Sequence, residues 1–235
     1  MCSVRLFLFG VEMKRTYPLF VAALILVVAG CNISINGSST GVRGSGTKKS
    51  EDREVESFSK VVIEGIGDVD ISMGDEPSLT IATDDNLLEL IESTVADGVL
   101  TIKPTEEISP TDDLEISITT TACEAVTVDG AAAIEFIDAT GESLDIVING
   151  AGSVSGSGEI DSLDVETNGA GNVELGELKA KSVTIVMSGA GNGTVYASES
   201  VDGTINGVGS ITVAGSPAEV KRSINGLGTF NVEGE

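Results

Sequence analysis

The side chains with the clearest chemical potential in this sequence are carboxylates. Three close pairs of acidic residues offer the oxygen ligands that suit calcium. None has the spacing of an EF-hand loop, and the glycine-rich turns of the chain lack the aspartate of calcium-binding β-rolls. The sequence therefore predicts no cofactor and no dedicated metal site, and it leaves weak calcium binding at the surface open. The three pairs are Asp68 and Asp70, Asp84 and Asp85, and Asp112 and Asp113.

A second group of side chains could act on polysaccharides. Some β-helical enzymes combine acidic calcium ligands with a lysine or arginine that abstracts a proton, which makes a lyase or hydrolase the alternative function. Against it, the chain has no histidine, so the commonest general base is missing. Cys123 has no base to activate it and is expected to be a small buried residue. The candidates for this chemistry are Asp161, Asp164, Lys179, Lys181, Lys221 and Arg222.

A repeat determines the elements that would position these side chains. A polar residue followed by Gly-x-Gly recurs every 18 to 20 residues in the second half of the chain. A degenerate copy starts at Asp129 and an outlying first copy at Glu64. A period near 20 residues indicates a stacked solenoid, because one unit alone cannot bury its apolar face. The repeated corner residues are Asn149, Gly150, Gly152, Asn168, Gly169, Gly171, Ser188, Gly189, Gly191, Asn206, Gly207, Gly209, Asn225, Gly226 and Gly228.

Apolar residues alternate with polar ones on both sides of each corner. Ile146 and Ile148 precede Gly150 in this phase, and Val173 and Leu175 follow Gly169. Such alternation is typical of a strand with one buried face. We therefore expect an all-β fold, a β-solenoid of stacked units of about 19 residues. Each unit would consist of a strand, a glycine corner, a second strand and a short return segment.

Two stretches depart from the repeat. Residues 72–124 are irregular, with a short helical turn capped within 84–86 and a hairpin turn at Asp97 and Gly98. We expect this N-terminal portion to cover the first open edge of the solenoid. Near the C-terminus, Gly203 and Arg222 stand four residues before their lead glycines, at a position where other units have isoleucine or valine. Arg222 is expected to lie at a bulge or near the open C-terminal end, with its guanidinium group in solvent.

The corners themselves favour a structural role. Glycine adopts positive φ without steric cost, and asparagine tolerates it best among the other residues. Stacked corners could also align Asn149, Asn168, Asn206 and Asn225 into a ladder of side-chain hydrogen bonds. A phosphate-binding Gly-x-Gly turn needs a helix after it, and the spacing leaves no room for one.

These motifs resemble a known family. The tandem Asn-Gly-x-Gly units, the opening from Ser57 to Val69 and the Asp-Gly-x-Leu-x-Ile hairpin at 97–102 are similar to the head GIN domain, which is named for auto-transporter adhesins. The resemblance covers residues 57–235. It implies a right-handed β-helical head in the bacterial envelope, and it supplies no catalytic residues.

The N-terminus predicts where the protein is located. A basic start at Met13, an apolar run over 19–28 and the sequence Val-Ala-Gly-Cys31 are typical of a lipoprotein signal peptide. We expect residues 1–30 to be removed, with Met13 as the true start, and Cys31 to be lipidated. Asn32 after the cysteine favours the outer membrane by analogy with enterobacterial sorting. Residues 31–56 would form a flexible tether and 57–235 the head.

Charge and composition exclude several classes of binding partner. The chain has a net charge of −24, and its head carries 32 acidic but six basic side chains. Nucleic acids and anionic lipid headgroups would therefore be repelled. Aromatic residues make up 3% of the chain, which weakens both lectin and glycan-processing functions. The acidity also has an explanation that involves no partner, because acidic side chains keep a β surface soluble or suit a saline habitat.

The first functional hypothesis is a non-catalytic head, anchored to the membrane by its N-terminal lipid, that binds or spaces envelope components. Its partner would be a polysaccharide or an envelope protein. A purely structural periplasmic protein is a further alternative, since it needs the same anchored β surface.

Overall fold

The computed structural model describes residues 41–233, which belong to one compact unit spanning 38–235. They form strands joined by short turns, with one 3-10 turn at Leu88–Leu90 and no α-helix in the described part. The fold is therefore all-β, as predicted. The strands are β1 (Val42–Arg43), β2 (Lys48–Arg53), β3 (Lys60–Met73), β4 (Ser78–Asp84), β5 (Ile91–Ala96), β6 (Val99–Pro104), β7 (Ile108–Ser109), β8 (Glu115–Thr120), β9 (Ala125–Gly215), β10 (Glu219–Ile224) and β11 (Leu227–Val232).

Strand β9 is a succession of extended segments rather than one straight strand. It has 91 residues, which at roughly 3.3 Å per residue would exceed the length of any sheet of this size. Residues 18 to 20 apart within it touch each other; for example, the Asn168 side chain donates a hydrogen bond to Asn149. Its first segment pairs in parallel with β3, and Gly65 lies opposite Gly130.

The core lies beneath the alternating apolar positions. Ile146, Ile148, Val165 and Leu175 are each at most 2% exposed. The intervening side chains point to solvent, because successive residues of a strand face opposite sides of the sheet. The alternation read from the sequence thus matches the buried face.

The irregular N-terminal portion covers the outer edge of β3, as expected. Strands β6 and β8 both pair in parallel with β3, on the side away from β9. The predicted hairpin joins β5 to β6 through Asp97 and Gly98, whose φ values are 51° and 76°. The predicted helical turn forms at Leu88–Leu90, but no side chain caps it, because the Asp84 backbone carbonyl accepts the Leu87 amide instead.

The tether predicted over residues 31–56 is too long. Residues 42–53, here called the N-terminal arm, carry β1 and β2, and β2 pairs antiparallel with β4. The charged run of β2 suits an edge strand, because its side chains reach solvent or neighbouring carbonyls. Arg53 donates hydrogen bonds to the Leu88 and Ile91 carbonyls at 2.8 and 2.6 Å. The predicted signal peptide and Cys31 lie outside the described residues.

A buried carboxylate attaches the arm to the rest of the fold. The side chain of Asp84, at the end of β4, is fully buried. It accepts hydrogen bonds from the backbone amides of Gly46 at 2.6 Å, Thr111 at 2.7 Å and Asp112 at 3.4 Å. One side chain therefore joins the arm, β4 and the loop after β7.

Acidification is expected to release the N-terminal arm. Burial acts to raise the pKa of the Asp84 carboxyl. The hydrogen bonds from the backbone amides of Thr111, Gly46 and Asp112 have the larger combined effect, so the pKa is lower than the usual value. A carboxyl with a lowered pKa stabilises the fold above its unfolded-state value of about 3.9, and that contribution is lost as the pH falls through the folded-state value. NMR of the Gly46 amide proton should show a midpoint below pH ~3.9.

Neutralising the same carboxyl tests this attachment at pH 7. Asp84→Asn should weaken the attachment of the arm, because an amide cannot accept hydrogen bonds from three donors as a carboxylate does. Trypsin should then cleave faster after Lys48 and Lys49. Asp75→Asn, at an exposed turn, is the matched control. A variant Asp84→Asn that resists trypsin as well as the parent chain would contradict the assignment.

Phe230 explains Gly203, the first of the two departures from the apolar phase near the C-terminus. Its ring is 7% exposed and fills the space beside Gly203, where a Cβ would meet the ring atoms. Arg222 lies opposite Gly203 in the pairing of β10 with β9, and it is exposed as predicted.

Candidate functional site

An open groove on the solvent side of β9 is the best candidate for a binding site. Three segments of β9, about one period apart, contribute most of its walls, and its volume is about 510 Å³. It contains both carboxylates and hydroxyl groups. The lining residues are Glu135, Phe136, Ser155, Gly156, Ser157, Glu174, Gly176, Glu177 and Thr194.

The groove exists because its central segment has small side chains. Ser155, Gly156 and Ser157 lie between segments that carry Glu135 and Glu174. A Cβ on Gly156 would approach the Phe136 Cβ to 2.7 Å, so the buried Phe136 side chain uses the room that this glycine leaves. The floor is thus backbone and hydroxyl, and the rims are longer acidic side chains.

The electrostatics of the groove are uniformly negative. Glu135, Glu174 and Glu177 are exposed, and the sequence from 104 to 178 contains no lysine or arginine. Carboxylates accept hydrogen bonds and attract cations, and serine hydroxyls can donate or accept. The arrangement can therefore hold an ammonium, a guanidinium or a hydroxyl-bearing group. Within residues 41–233, no three acidic, cysteine or histidine side chains are grouped to hold a metal ion.

The predicted corner glycines fall into two columns of close backbone contact. A Cβ on Gly150, Gly169 or Gly189 would lie under 3.0 Å from the carbonyl oxygen of the glycine one period earlier. These three also have positive φ, at 134°, 148° and 136°. The second column has the same close contact without positive φ, as at Gly191 against the Gly171 carbonyl. The close approach, more than φ, requires glycine at the corners.

The corner asparagines hydrogen bond to each other along part of the fold. Asn168 donates to Asn149 at 3.1 Å, and Asn225 donates to Asn206 at 3.0 Å. Ser188 separates these two pairs in the repeat. A second row, which the sequence did not suggest, forms three residues after Gly169, Gly189 and Gly207. There Ser210 donates to the Asn192 side chain at 2.8 Å.

The residues proposed for proton abstraction are poorly suited to it. Lys181 Nζ lies 2.6 Å from Asp161 Oδ1, and this hydrogen bond raises the pKa of Lys181. A general base needs the opposite shift. Asp164 lines a different hollow, beside Asp145 and Glu166. Lys179, Lys221 and Arg222 are exposed.

The acidic pairs considered for calcium are separated or already occupied. Asp84 is bonded to backbone amides, and Asp85 accepts from the Ser45 hydroxyl. Asp68, Asp112 and Asp113 line a small hollow of about 250 Å³, but they do not form a group that could hold a metal.

Cys123 is an unreactive core residue. It is a free thiol, 7% exposed. Burial, with a smaller contribution from Glu124, raises its pKa to about 12. The thiol is therefore protonated at neutral pH and is not a nucleophile, which agrees with the expectation of a small buried residue.

Sequence reasoning missed the groove. The feature of the sequence that could have indicated it is Gly156, which stands where the alternation calls for an apolar side chain. Gly156 lies within the run Gly-Ser-Val-Ser-Gly-Ser-Gly at 152–158. That run suggests a flexible loop when taken alone. The groove becomes visible only when the neighbouring segments place Glu135 and Glu174 on either side of it.

Comparisons with known proteins agree with this fold. A solved structure described as a putative adhesin from Bacteroides fragilis NCTC 9343 is 24% identical, with a TM-score of 0.62, over 82% of this chain and 100% of that one. A putative lipid binding protein from Parabacteroides distasonis ATCC 8503 is 20% identical, with a TM-score of 0.54, over 81% and 98% of the two chains. At such identities the likeness concerns the fold. A comparison with the curated proteins found no match.

Two further findings concern membrane spans and the family. In the part of the chain that the structure describes, none of the helical segments has the length and apolar character needed to cross a bilayer. A family model described as "putative auto-transporter adhesin, head GIN domain" matches residues 57–217. Since that match covers well over half of the sequence and includes the groove, the opening motif and all but the last copy of the repeat, the chain belongs to the head GIN domain family.

Proposed function

We propose that this chain is an envelope lipoprotein whose head binds a partner and catalyses no reaction. The observation that carries the proposal is the groove, which offers three carboxylates and several hydroxyls. Its lining contains no histidine, lysine or arginine, so a cationic partner would meet no like charge there. Membership of a family named for adhesins supports the same function.

The head would be a right-handed β-solenoid of stacked units. Support comes from the contacts between residues 18 to 20 apart and from the two columns of glycines that approach each other's carbonyls. The parallel register of β3 with β9 fits the same arrangement. The handedness rests on the family resemblance.

The anchor would be the lipidated Cys31. The apolar run and the Val-Ala-Gly-Cys31 sequence support it, and acyl chains contribute roughly 0.8 kcal/mol per buried methylene to membrane binding. The described fold begins close behind, so the tether would be the short segment that joins Cys31 to the N-terminal arm. The outer membrane is the favoured location, in a bacterial envelope.

The ligand would be a polymer that carries ammonium groups. Glu135 and Glu174 flank the segment that contains Ser155, so their strands are roughly 10 Å apart at the usual strand spacing. An extended chain in the groove could meet a carboxylate on each rim and hydroxyls between them. A strongly anionic polysaccharide would be repelled by the same rims.

Removing the rim charges should weaken binding. The probes would be a glucosamine polymer, a lysine-rich peptide, and neutral and acidic polysaccharides. We expect retention of the two cationic probes, weakened roughly fivefold in the double variant Glu135→Gln/Glu174→Gln, since exposed charge pairs contribute about 0.2–1 kcal/mol each. The retained fraction and newly formed reducing ends would be measured in the same samples.

The matched control removes the same charge elsewhere. Glu142 and Glu199 are exposed and lie outside the groove, so Glu142→Gln/Glu199→Gln should bind as the parent chain does. Equal weakening in both double variants would mean that net charge, rather than the groove, determines binding. New reducing ends would overturn the non-catalytic assignment.

A further inference from the structure

The C-terminal edge of the sheet is open within the described chain. Strand β10 pairs with β9 on one side, and no described strand pairs with its other side. Strand β11 likewise pairs with β9 alone. Unpaired N–H and C=O groups along such an edge are a template for a further strand.

Apolar side chains are exposed beside this edge. Leu227 is 79% exposed, Val208 57% and Ile224 43%. Ile224 holds the position that is buried in earlier units, where Ile205 is 1% exposed. It lies on the last strand of the described sheet, so no described strand covers it. The end of the fold thus combines apolar surface with unpaired backbone groups.

The charge of this end differs from that of the rest of the head. Residues 216–233 contain two acidic and two basic side chains, whereas the head as a whole is strongly acidic. On β10, Glu219 and Lys221 are both exposed and lie two residues apart, on the same side of the strand. Two copies of this acidic chain would repel each other least at this end.

We propose that β10 pairs antiparallel with β10 of a second copy, about a two-fold axis at Val220. A two-fold axis perpendicular to the sheet places each residue of one strand opposite the residue of the other strand that lies equally far from the axis on the other side of it. With Val220 at the centre, Glu219 faces Lys221 of the other copy, and Lys221 faces its Glu219. Centring on residue 219, 221 or 222 instead sets identical charges against each other, which is destabilising. The strand is therefore self-complementary in one register.

The contact would be small. Stable interfaces bury roughly 1,200–2,000 Å² in total, and a six-residue strand with one corner cannot reach that area. The dimer is therefore weak, and it forms and dissociates with concentration. The symmetry is closed, because the same edge is used by both copies.

Reversing one charge tests the register. In sedimentation equilibrium of the full chain in density-matched detergent, we expect a monomer–dimer equilibrium. Lys221→Glu sets like charges opposite each other at two symmetric places and should raise the dissociation constant roughly tenfold. The swap Glu219→Lys/Lys221→Glu restores opposite charges and should recover the original value.

The control variant Lys179→Glu makes the same change in net charge at an exposed site away from the edge. It should dimerise as the parent chain does. A chain that stays monomeric at every concentration would overturn the proposal. So would a charge swap that fails to restore dimerisation, or a control that weakens it as much as Lys221→Glu does.

Discussion

Gly169→Val is expected to lower the free energy of unfolding by about 3–5 kcal/mol, although Gly169 is exposed to solvent. Any Cβ at this position would lie against the Gly150 carbonyl oxygen, and the backbone φ of 148° adds strain. A residue held at an unfavourable φ angle lowers the free energy of unfolding by about 1–3 kcal/mol, and an added side chain without room lowers it by a similar amount. The neighbouring atoms are backbone, so they cannot rotate away. Thermal unfolding followed by far-UV circular dichroism should show a midpoint lowered by roughly 10 °C.

Ala170→Val is the matched control for this prediction. Ala170 is the next residue of the same corner and is also exposed. Its side chain already points to solvent, so two added methyl groups should change stability by no more than about 0.5 kcal/mol. If both valine variants unfolded at the same temperature, the close backbone contact at the corner would not be the reason that glycine is required at position 169.

Phe230→Ala is expected to cost about 3–5 kcal/mol, the usual range for a buried phenylalanine. The loss should be local, because among the described strands β10 and β11 pair only with β9. Hydrogen exchange should therefore increase across residues 219–232 and remain unchanged in β3 and β8. Increased exchange throughout the head would show that Phe230 stabilises the whole fold instead.

A second substitution checks the contact that underlies this result. Gly203→Val would place a side chain against the Phe230 ring, so it should destabilise the parent chain. In the Phe230→Ala background the same valine should cost less, because the ring is gone and the added methyl groups can fill its space. Additive effects of the two substitutions would contradict direct packing of Phe230 over Gly203.

The sequence predicted the parts of the fold that follow from local pattern. Alternating residues such as Ile146 and Ile148 identified the buried faces, and the Asp97–Gly98 pair identified a hairpin. Both features depend on neighbours along the chain, so one sequence is enough to infer them. The solvent position of Arg222 followed from the cost of burying a charge.

The features that sequence reasoning missed depend on residues far apart in the chain. The N-terminal arm was taken as a tether because a charged run without apolar alternation does not suggest a strand. Its order comes from β4 and from Asp84, some 40 residues away. The groove was missed for the same reason, since Glu135 and Glu174 flank it from separate segments.

The two columns of corner glycines also bear on how such a head can change its length. Each unit presents the same backbone contact to the unit before it and to the unit after it. Loss or duplication of one whole unit would bring the next glycine onto an equivalent carbonyl, for example Gly189 onto Gly150. In the solenoid proposed above, each such event would shorten or lengthen the head by about 4.8 Å, one strand spacing. Its reach could therefore vary in fixed steps during evolution without a new core having to be built.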